Sequence, residues 1–241
     1  FDPNASFGAF DGNKLVAFTC NGVGDFYGTP TAYDTGTGTL KEYQGKGLAS
    51  KIFDYSIPHL KALGIDQYLL EVLQHNAGAL SIYRKLGFEV MREFYYFISD
   101  NVKPDKGIAN LDFPYELKTI NLDNYRSISN FWDFKPSWQN SLEAINRSID
   151  SFICLGIFSE DNLIGYGVFE PTSGDVTQIA VDKHYRRRGI GSLILQQMLE
   201  SNKHSSIKIL NIDMAYDSIT HFLKAKNRKP TGKQFEMVRK L

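Results

Sequence analysis

The two halves of this 241-residue chain carry the same ordered series of apolar runs and turns. Phe7-Gly8-Ala9-Phe10 lies against Leu155-Gly156-Ile157-Phe158, and Leu15-Val16-Ala17-Phe18 against Leu163-Ile164-Gly165-Tyr166, both at an offset of 148. Each pair of runs flanks a short polar turn, Asp11-Gly12-Asn13 or Ser159-Glu160-Asp161, which predicts a β-hairpin in each half. Further on, Tyr43-Gln44-Gly45-Lys46-Gly47-Leu48-Ala49 matches Tyr185-Arg186-Arg187-Arg188-Gly189-Ile190-Gly191 at an offset of 142, so an insertion falls within the Gly/Thr/Pro-rich residues 21–39. After each glycine turn come a helical pattern, an apolar strand (67–73 and 207–212), a second helix and a closing strand (89–98 and 234–241). A period this long excludes a solenoid and leaves two diverged copies of one domain.

The copies meet at a polar stretch holding Asp100-Asn101 and Lys103-Pro104-Asp105-Lys106-Gly107, which reads as linker. The expected division is an N-terminal domain over 1–100, a linker over 101–113 and a C-terminal domain over 114–241. The second copy opens on a strand-like run at 115–120, with helical segments expected at 122–131 and 138–149. At the offset of 148, Phe1 corresponds to Ile149, so the first copy lacks counterparts of residues 114–148. The repeat therefore predicts an opening strand and two helices upstream of Phe1, since their loss exposes core. Pro58 falls inside the first long helix, expected over 47–63, and predicts a kink there.

The 27 basic and 27 acidic residues cancel, so no global field draws in nucleic acid or an anionic membrane, and an anion must be held by local geometry. No apolar run approaches the ~18 residues of a membrane span. Cys20 and Cys154 sit in separate apolar runs without Cys or His companions. They read as core thiols in a reducing, cytoplasmic compartment, with no metal site.

The glycine turns are the chemical feature. A turn of this kind between strand and helix leaves backbone N–H groups converging on one point at the positive end of the helix dipole, which suits a phosphate. Gly-x-Gly alone is weak evidence, but here it occurs twice in one context. In that order of elements, Arg186-Arg187-Arg188-Gly189-Ile190-Gly191 and Gln44-Gly45-Lys46-Gly47-Leu48-Ala49 resemble the Gln/Arg-x-x-Gly-x-Gly/Ala signature of the GNAT superfamily of acetyl-CoA-dependent N-acetyltransferases.

The resemblance covers nearly the whole chain and implies an α+β fold: two tandem three-layer domains, each a mixed, mostly antiparallel sheet with helices on both faces. It implies that amides around 45–49 and 187–191 hold the CoA pyrophosphate, with help from Gln44, Lys46, Arg186, Arg187 and Arg188. It implies that the preceding strands, at Thr37, Gly38, Thr39 and Leu40 or at Ile179, Ala180 and Val181, bind the pantetheine arm. In the first copy Asn76 is expected to face that arm and Tyr83 to protonate the departing thiolate, a role a phenol suits in a desolvated cleft. Tyr83 also suits a core aromatic. Glu71 is the leading candidate for general base, also readable as a structural acceptor, with Asp34 and Glu42 weaker candidates.

The second copy departs from this pattern, because aligning Leu86-Gly87-Phe88 with Lys226-Asn227-Arg228 sets Leu223 opposite Tyr83 and Tyr216 opposite Asn76. The reaction is therefore expected in the first copy, by direct attack of an amine within a ternary complex. The acceptor is a small molecule or a peptide, and the protein a monomer or homodimer. A non-catalytic acyl-CoA-binding or sensor module, and catalysis in the second copy, stay open. A nucleotide enzyme is disfavoured by the absence of a Gly-Lys-Ser/Thr turn.

Overall fold

The computed structural model describes residues 1–100, 111–125 and 128–241, so most of the linker expected at 101–113 lies outside the described residues. The chain divides into two compact units, Phe1–Phe94 with Lys233–Leu241, and Tyr95–Gly232. Each contains a mixed, mostly antiparallel sheet with helices packed on it.

In the first unit β1 (Asp2–Asp11), β2 (Lys14–Phe26) and β3 (Thr29–Thr39) form antiparallel neighbours, and β4 (Gln67–Leu73) joins β3 in parallel. The insertion in the first copy is a longer hairpin, closed by a two-residue turn at Tyr27 and Gly28, both at positive φ (53° and 87°). That geometry matches the twist of the flanking strands. Helix α1 (Leu48–Ala62) and α2 (Ala77–Lys85) follow β3 and β4, and α1 runs through Pro58 as a single element. Phe53 and Leu60 of α1 and Leu80 of α2 pack on Tyr68, Leu70 and Val72, the alternate positions of β4 that share a sheet face.

The strand that completes this sheet differs from the expectation that residues 234–241 close the second copy. β11 (Gly232–Lys240) runs antiparallel to β4, from Gln234 opposite Leu73 to Lys240 opposite Gln67. Met237 faces Leu70 and is fully buried with it. Glu236 falls opposite Glu71, and Arg92 at the start of β5 (Glu89–Asp100) neutralises Glu236 through two hydrogen bonds of 2.6 and 2.9 Å. The two closing strands have the same local pattern, so only these long-range pairings select between them. Met237→Ala should therefore lower the stability of the first unit by about 2–4 kcal/mol, read by denaturant unfolding.

In the second unit β6 (Glu116–Thr119), β7 (Ile153–Ser159), β8 (Asn162–Glu170) and β9 (Asp175–Val181) are antiparallel neighbours, and β10 (Ser206–Asp213) joins β9 in parallel. Residues 95–100 of β5 belong to this unit, where Thr231 bonds the backbone at Tyr96 and Ile98. Helices α4 (Ile190–Ser201) and α5 (Ser218–Ala225) contribute Leu193, Ile194, Met198 and Leu223 to one core cluster. Gly165 and Gly167 of β8 admit Ile190, Ile194 and Met198 where a Cβ would stand.

The helices expected at 122–131 and 138–149 are instead short 3₁₀ turns at Leu122–Asn124, Ile128–Phe131 and Trp138–Asn140, and one short helix, α3 (Leu142–Asn146). Asn121 folds its side chain onto the Asp123 N–H, competing with helix formation. Pro136 biases Lys135 away from helical dihedrals. No described helix is long and apolar enough to cross a membrane.

Candidate active site

Both units open at the same place. β3 and β4 pair from Thr31–Gln67 to Tyr33–Leu69 and then separate, while β9 and β10 pair at Asp175–Lys208 and then separate. Beyond those points the facing strand edges are splayed, a geometry that receives an extended arm by backbone hydrogen bonding. A bulge lies just inside each opening, since the ladder skips from Asp34 to Gly36 in β3 and from Val176 to Gln178 in β9. It re-aims side chains locally, and in the first unit it brings Asp34 and Thr37 onto one face.

The glycine turns adopt matching backbones. Gly45 and Gly47 have φ of 76° and 73°, and Arg187 and Gly189 have φ of 66° and 90°. Gly47 and Gly189 directly precede α1 and α4, and no side chain caps either helix, so the first-turn amides face outward. A Cβ at Gly45 or Gly47 would meet no heavy atom within 4 Å, whereas at Gly189 it would come within 3.2 Å of Leu111. The turn of the first unit is therefore more open than that of the second.

The leading residue of each motif is a clasp. Gln44 Nε2 donates to the Thr39 carbonyl at 3.2 Å, and Arg186 Nε donates to the Val181 carbonyl at 3.1 Å, the corresponding position. Arg186 also pairs with Asp133 at 3.0 Å and donates to the Phe131 carbonyl, so its guanidinium is already committed. Arg188 stacks on Phe113 at 4.0 Å and reaches Asp112 at 3.5 Å, whereas Lys46 lies over the Tyr43 ring at 4.5 Å.

At the apex of the first opening stands Asp34, the residue after the last β3–β4 pair. Its carboxylate accepts from Thr37 Oγ1 at 2.8 Å, the Gly36 N–H at 2.9 Å and Thr19 Oγ1 at 3.4 Å, and Tyr83 of α2 lies near enough to feel its charge. Burial pushes the Asp34 carboxyl above the usual range despite these donors. Burial, and then the charge of Asp34, push the Tyr83 phenol well above its ordinary value. Behind them Tyr68 donates to Asn21 Oδ1 at 2.6 Å, and Asn21 donates to the Ala5 carbonyl.

Glu71 occupies the other face of β4, because Tyr68, Leu70 and Val72 face α1 and α2. There Gln234 of β11 donates to it at 3.1 Å, and burial and then the Glu71 charge raise the Tyr33 phenol. Asn76 Oδ1 caps α2 by accepting the Ala79 N–H at 3.1 Å. His75 and Glu42 are exposed, with Glu42 paired to Lys14.

The second unit inverts this chemistry. The end of α2, where Phe88 N–H bonds the Tyr83 carbonyl and Gly87 has φ 80°, is reproduced in α5, where Arg228 N–H bonds the Leu223 carbonyl and Asn227 has φ 58°. Leu223 therefore takes the place of Tyr83. By strand register Val176 takes the place of Asp34, and Gly167, Phe169, Ile179 and Ile207 those of Thr19, Asn21, Thr37 and Tyr68. The opening of this unit is a cavity of about 590 Å³ lined by Phe131, Trp132, Gln178, Ala180, Gly189, Gly191, Asn211 and Phe222, among others. Trp132 donates to the Tyr166 hydroxyl, Tyr166 to Gln178 Oε1 and Gln178 to the Asn140 carbonyl, while Asn140 donates to the Leu210 carbonyl. That chain bridges β9 to β10 across the splay.

The model of the acetyltransferase (GNAT) family matches residues 1–88 and 115–222, most of the chain in two stretches. The chain belongs to the GNAT acetyltransferase family. Over 95 residues it is 30% identical to the N-alpha-acetyltransferase MAK3 of Arabidopsis thaliana, covering 39% of this chain and 50% of that one. Over 91 residues it is 33% identical to the mycothiol acetyltransferase of Geodermatophilus obscurus, covering 36% of this chain and 30% of that protein. The matches thus span half or less of these two relatives. Among solved structures, a tandem GNAT protein from the clavulanic acid biosynthesis pathway superposes with a TM-score of 0.76 at 14% identity, over 100% of this chain and 85% of that one. At that identity the likeness concerns fold alone.

Within this GNAT chain, sequence reasoning ranked Asp34 among the weaker base candidates and overlooked the donors that hold it. A bulge at Thr35 turns Asp34 and Thr37 onto one face, and a bulge leaves no clear trace in periodicity. The commitment of Arg186 to Asp133 was equally hidden, since 53 residues separate them.

Proposed function

We propose that the first unit transfers an acetyl group from acetyl-CoA to a primary amine of a small-molecule or peptide acceptor, by direct attack in a ternary complex. The supporting observation is an open splay beside an uncapped glycine turn, with Tyr83 on α2 near the buried Asp34 at its apex, set against Val176 and Leu223 in the second unit. Acetyl-CoA supplies an activated thioester. In this reading the amides of residues 45–49 hold its pyrophosphate, with Lys46 beside them, and the edge at Thr37, Gly38, Thr39 and Leu40 holds the pantetheine arm. Tyr83 delivers a proton to the departing sulfur. Glu71, on the opposite face of β4, orients the incoming amine and takes up its proton.

The second unit, in the same reading, keeps the cradle at Arg187, Arg188, Gly189, Ile190 and Gly191 and the edge at Ile179, Ala180 and Val181 without a proton donor. Its cavity favours acyl-CoA as a ligand held there and not consumed.

Free-thiol release across a panel of small amines and peptides, run beside thermal-shift titration with acetyl-CoA, tests the assignment. Stabilisation by acetyl-CoA without thiol release from any amine would replace the enzyme by an acyl-CoA sensor. Loss of activity on altering Gly189 and Gly191 alone would move the chemistry to the second unit. A further expectation concerns the cradle. Gly47→Val places a β-branched residue at φ 73°, a strain of about 1–2 kcal/mol, and should weaken acetyl-CoA binding by about tenfold. Calorimetric titration at wild-type affinity would count against the cradle.

A further inference from the structure

The two units differ in the side chains they bring to the splayed strands. In the first, Asp34, Thr37 and Glu71 are polar and hydrogen-bonded there. The strand registers put Val176 in the place of Asp34, Ile179 in that of Thr37 and Leu210 in that of Glu71. All three aliphatic residues line the cavity of about 590 Å³, and Ile209, Ile212 and Phe222 extend its apolar wall. Polar side chains of the lining are engaged with the protein. Gln178 accepts from the Tyr166 hydroxyl at 2.6 Å and donates to the Asn140 carbonyl at 2.6 Å. Asn140 donates to the Leu210 carbonyl at 3.1 Å, Asn211 to Ser137 Oγ at 2.7 Å, and Arg186 is held by Asp133. A group entering this space gains by burying hydrocarbon, about three- to fourfold in affinity for each methylene. A carboxylate gives up its hydration beside Val176, Ile179 and Leu210 and binds less well.

We propose, resting on the reading of the second unit as a holder of acyl-CoA, that the acyl group it holds is an uncharged, straight aliphatic chain longer than acetyl, lodged between Val176, Ile179 and Leu210. The polar splay of the first unit suits the small acetyl group, and the aliphatic splay of the second suits a longer hydrocarbon. The thioester stays intact in the second unit, so no bond is made or broken there. The selectivity comes from burial of the chain, with Val176, Ile179 and Leu210 as its specificity-determining residues.

The chain itself supplies a signal confined to the second unit. Its two tryptophans, Trp132 and Trp138, both lie there, and Trp132 lines the cavity. The full chain is titrated with acetyl-, butyryl-, hexanoyl- and succinyl-CoA, following tryptophan emission beside calorimetry. Kd from the emission should fall about tenfold from acetyl- to butyryl-CoA and about tenfold again to hexanoyl-CoA. Succinyl-CoA, equal to butyryl-CoA in carbon count, should bind at least about tenfold more weakly than it. Ile179→Thr restores the residue of the first unit at a half-buried position. It should lower the hexanoyl-over-acetyl preference by about threefold or more.

Equal affinity for acetyl- and hexanoyl-CoA, succinyl-CoA binding as tightly as butyryl-CoA, or an unchanged preference in Ile179→Thr would each overturn the proposal. If calorimetry finds a single CoA site and every ester leaves the emission unchanged, the second unit holds no acyl-CoA. The failure then lies with that reading, and the proposal falls with it.

Discussion

Replacing Tyr83 by phenylalanine should lower kcat for acetyl transfer by about 10²-fold, a barrier increase of roughly 2.7 kcal/mol, with KM for acetyl-CoA nearly unchanged. The ring itself has structural work that phenylalanine retains. It packs edge-on against Phe53 at 5.7 Å and Phe88 at 5.8 Å, so the aromatic cluster survives. Asp34 keeps its bonds from Thr37 and the Gly36 N–H, so the stability cost should be about 1 kcal/mol. A rate effect far larger than the stability effect is what separates a proton donor from a core aromatic. Turnover at the wild-type level, measured by thiol release with an established acceptor, would return Tyr83 to the core and leave the reaction without its donor.

Removing residues 233–241 should unfold the first unit, although those residues come from the opposite end of the chain. Seven β4 residues, Gln67–Leu73, lose their antiparallel partners, and Leu70 and Leu69 lose Met237 and Val238. Arg92 loses Glu236, whose side chain is only 1% exposed, and Glu71 loses Gln234. An open strand edge with its apolar face uncovered also invites aggregation. Hydrogen exchange reads the result directly. Amides of Gln67–Leu73 should lose protection in the truncated chain, while Ser206–Asp213 of β10 should largely keep theirs. Exposure of β10 with an intact β4 would mean that the last strand closes the second copy after all.

Much of the architecture was legible because it is written locally. The repeat register carried the hairpins, the glycine turns and the helices after them, each from patterns within a dozen residues. It also set Leu223 opposite Tyr83, and the structure agrees because a helix end is built from bonds between residues four or five apart, such as Phe88 to Tyr83 and Arg228 to Leu223. Where local signals were weak the reading failed. Residues 122–149 have apolar positions at plausible helical spacing, but Asn121, Pro136 and Ser137 favour turns, and packing under β7 and β8 holds them as 3₁₀ segments.

By itself the sequence determined that this is a twofold repeat of the GNAT type, with two glycine turns and with Leu223 of the second copy opposite Tyr83 of the first. Those features depend on backbone dihedrals and short-range hydrogen bonds, which the residues specify where they stand. The tertiary structure alone decided that the last strand completes the first sheet, that Arg186 is tied to Asp133, and that Asp34 stands at the apex of the opening, held by Thr37 and Thr19. These depend on pairings between distant segments, where several partners satisfy the same local pattern and only the packed whole, burying Met237 and neutralising Glu236, selects among them.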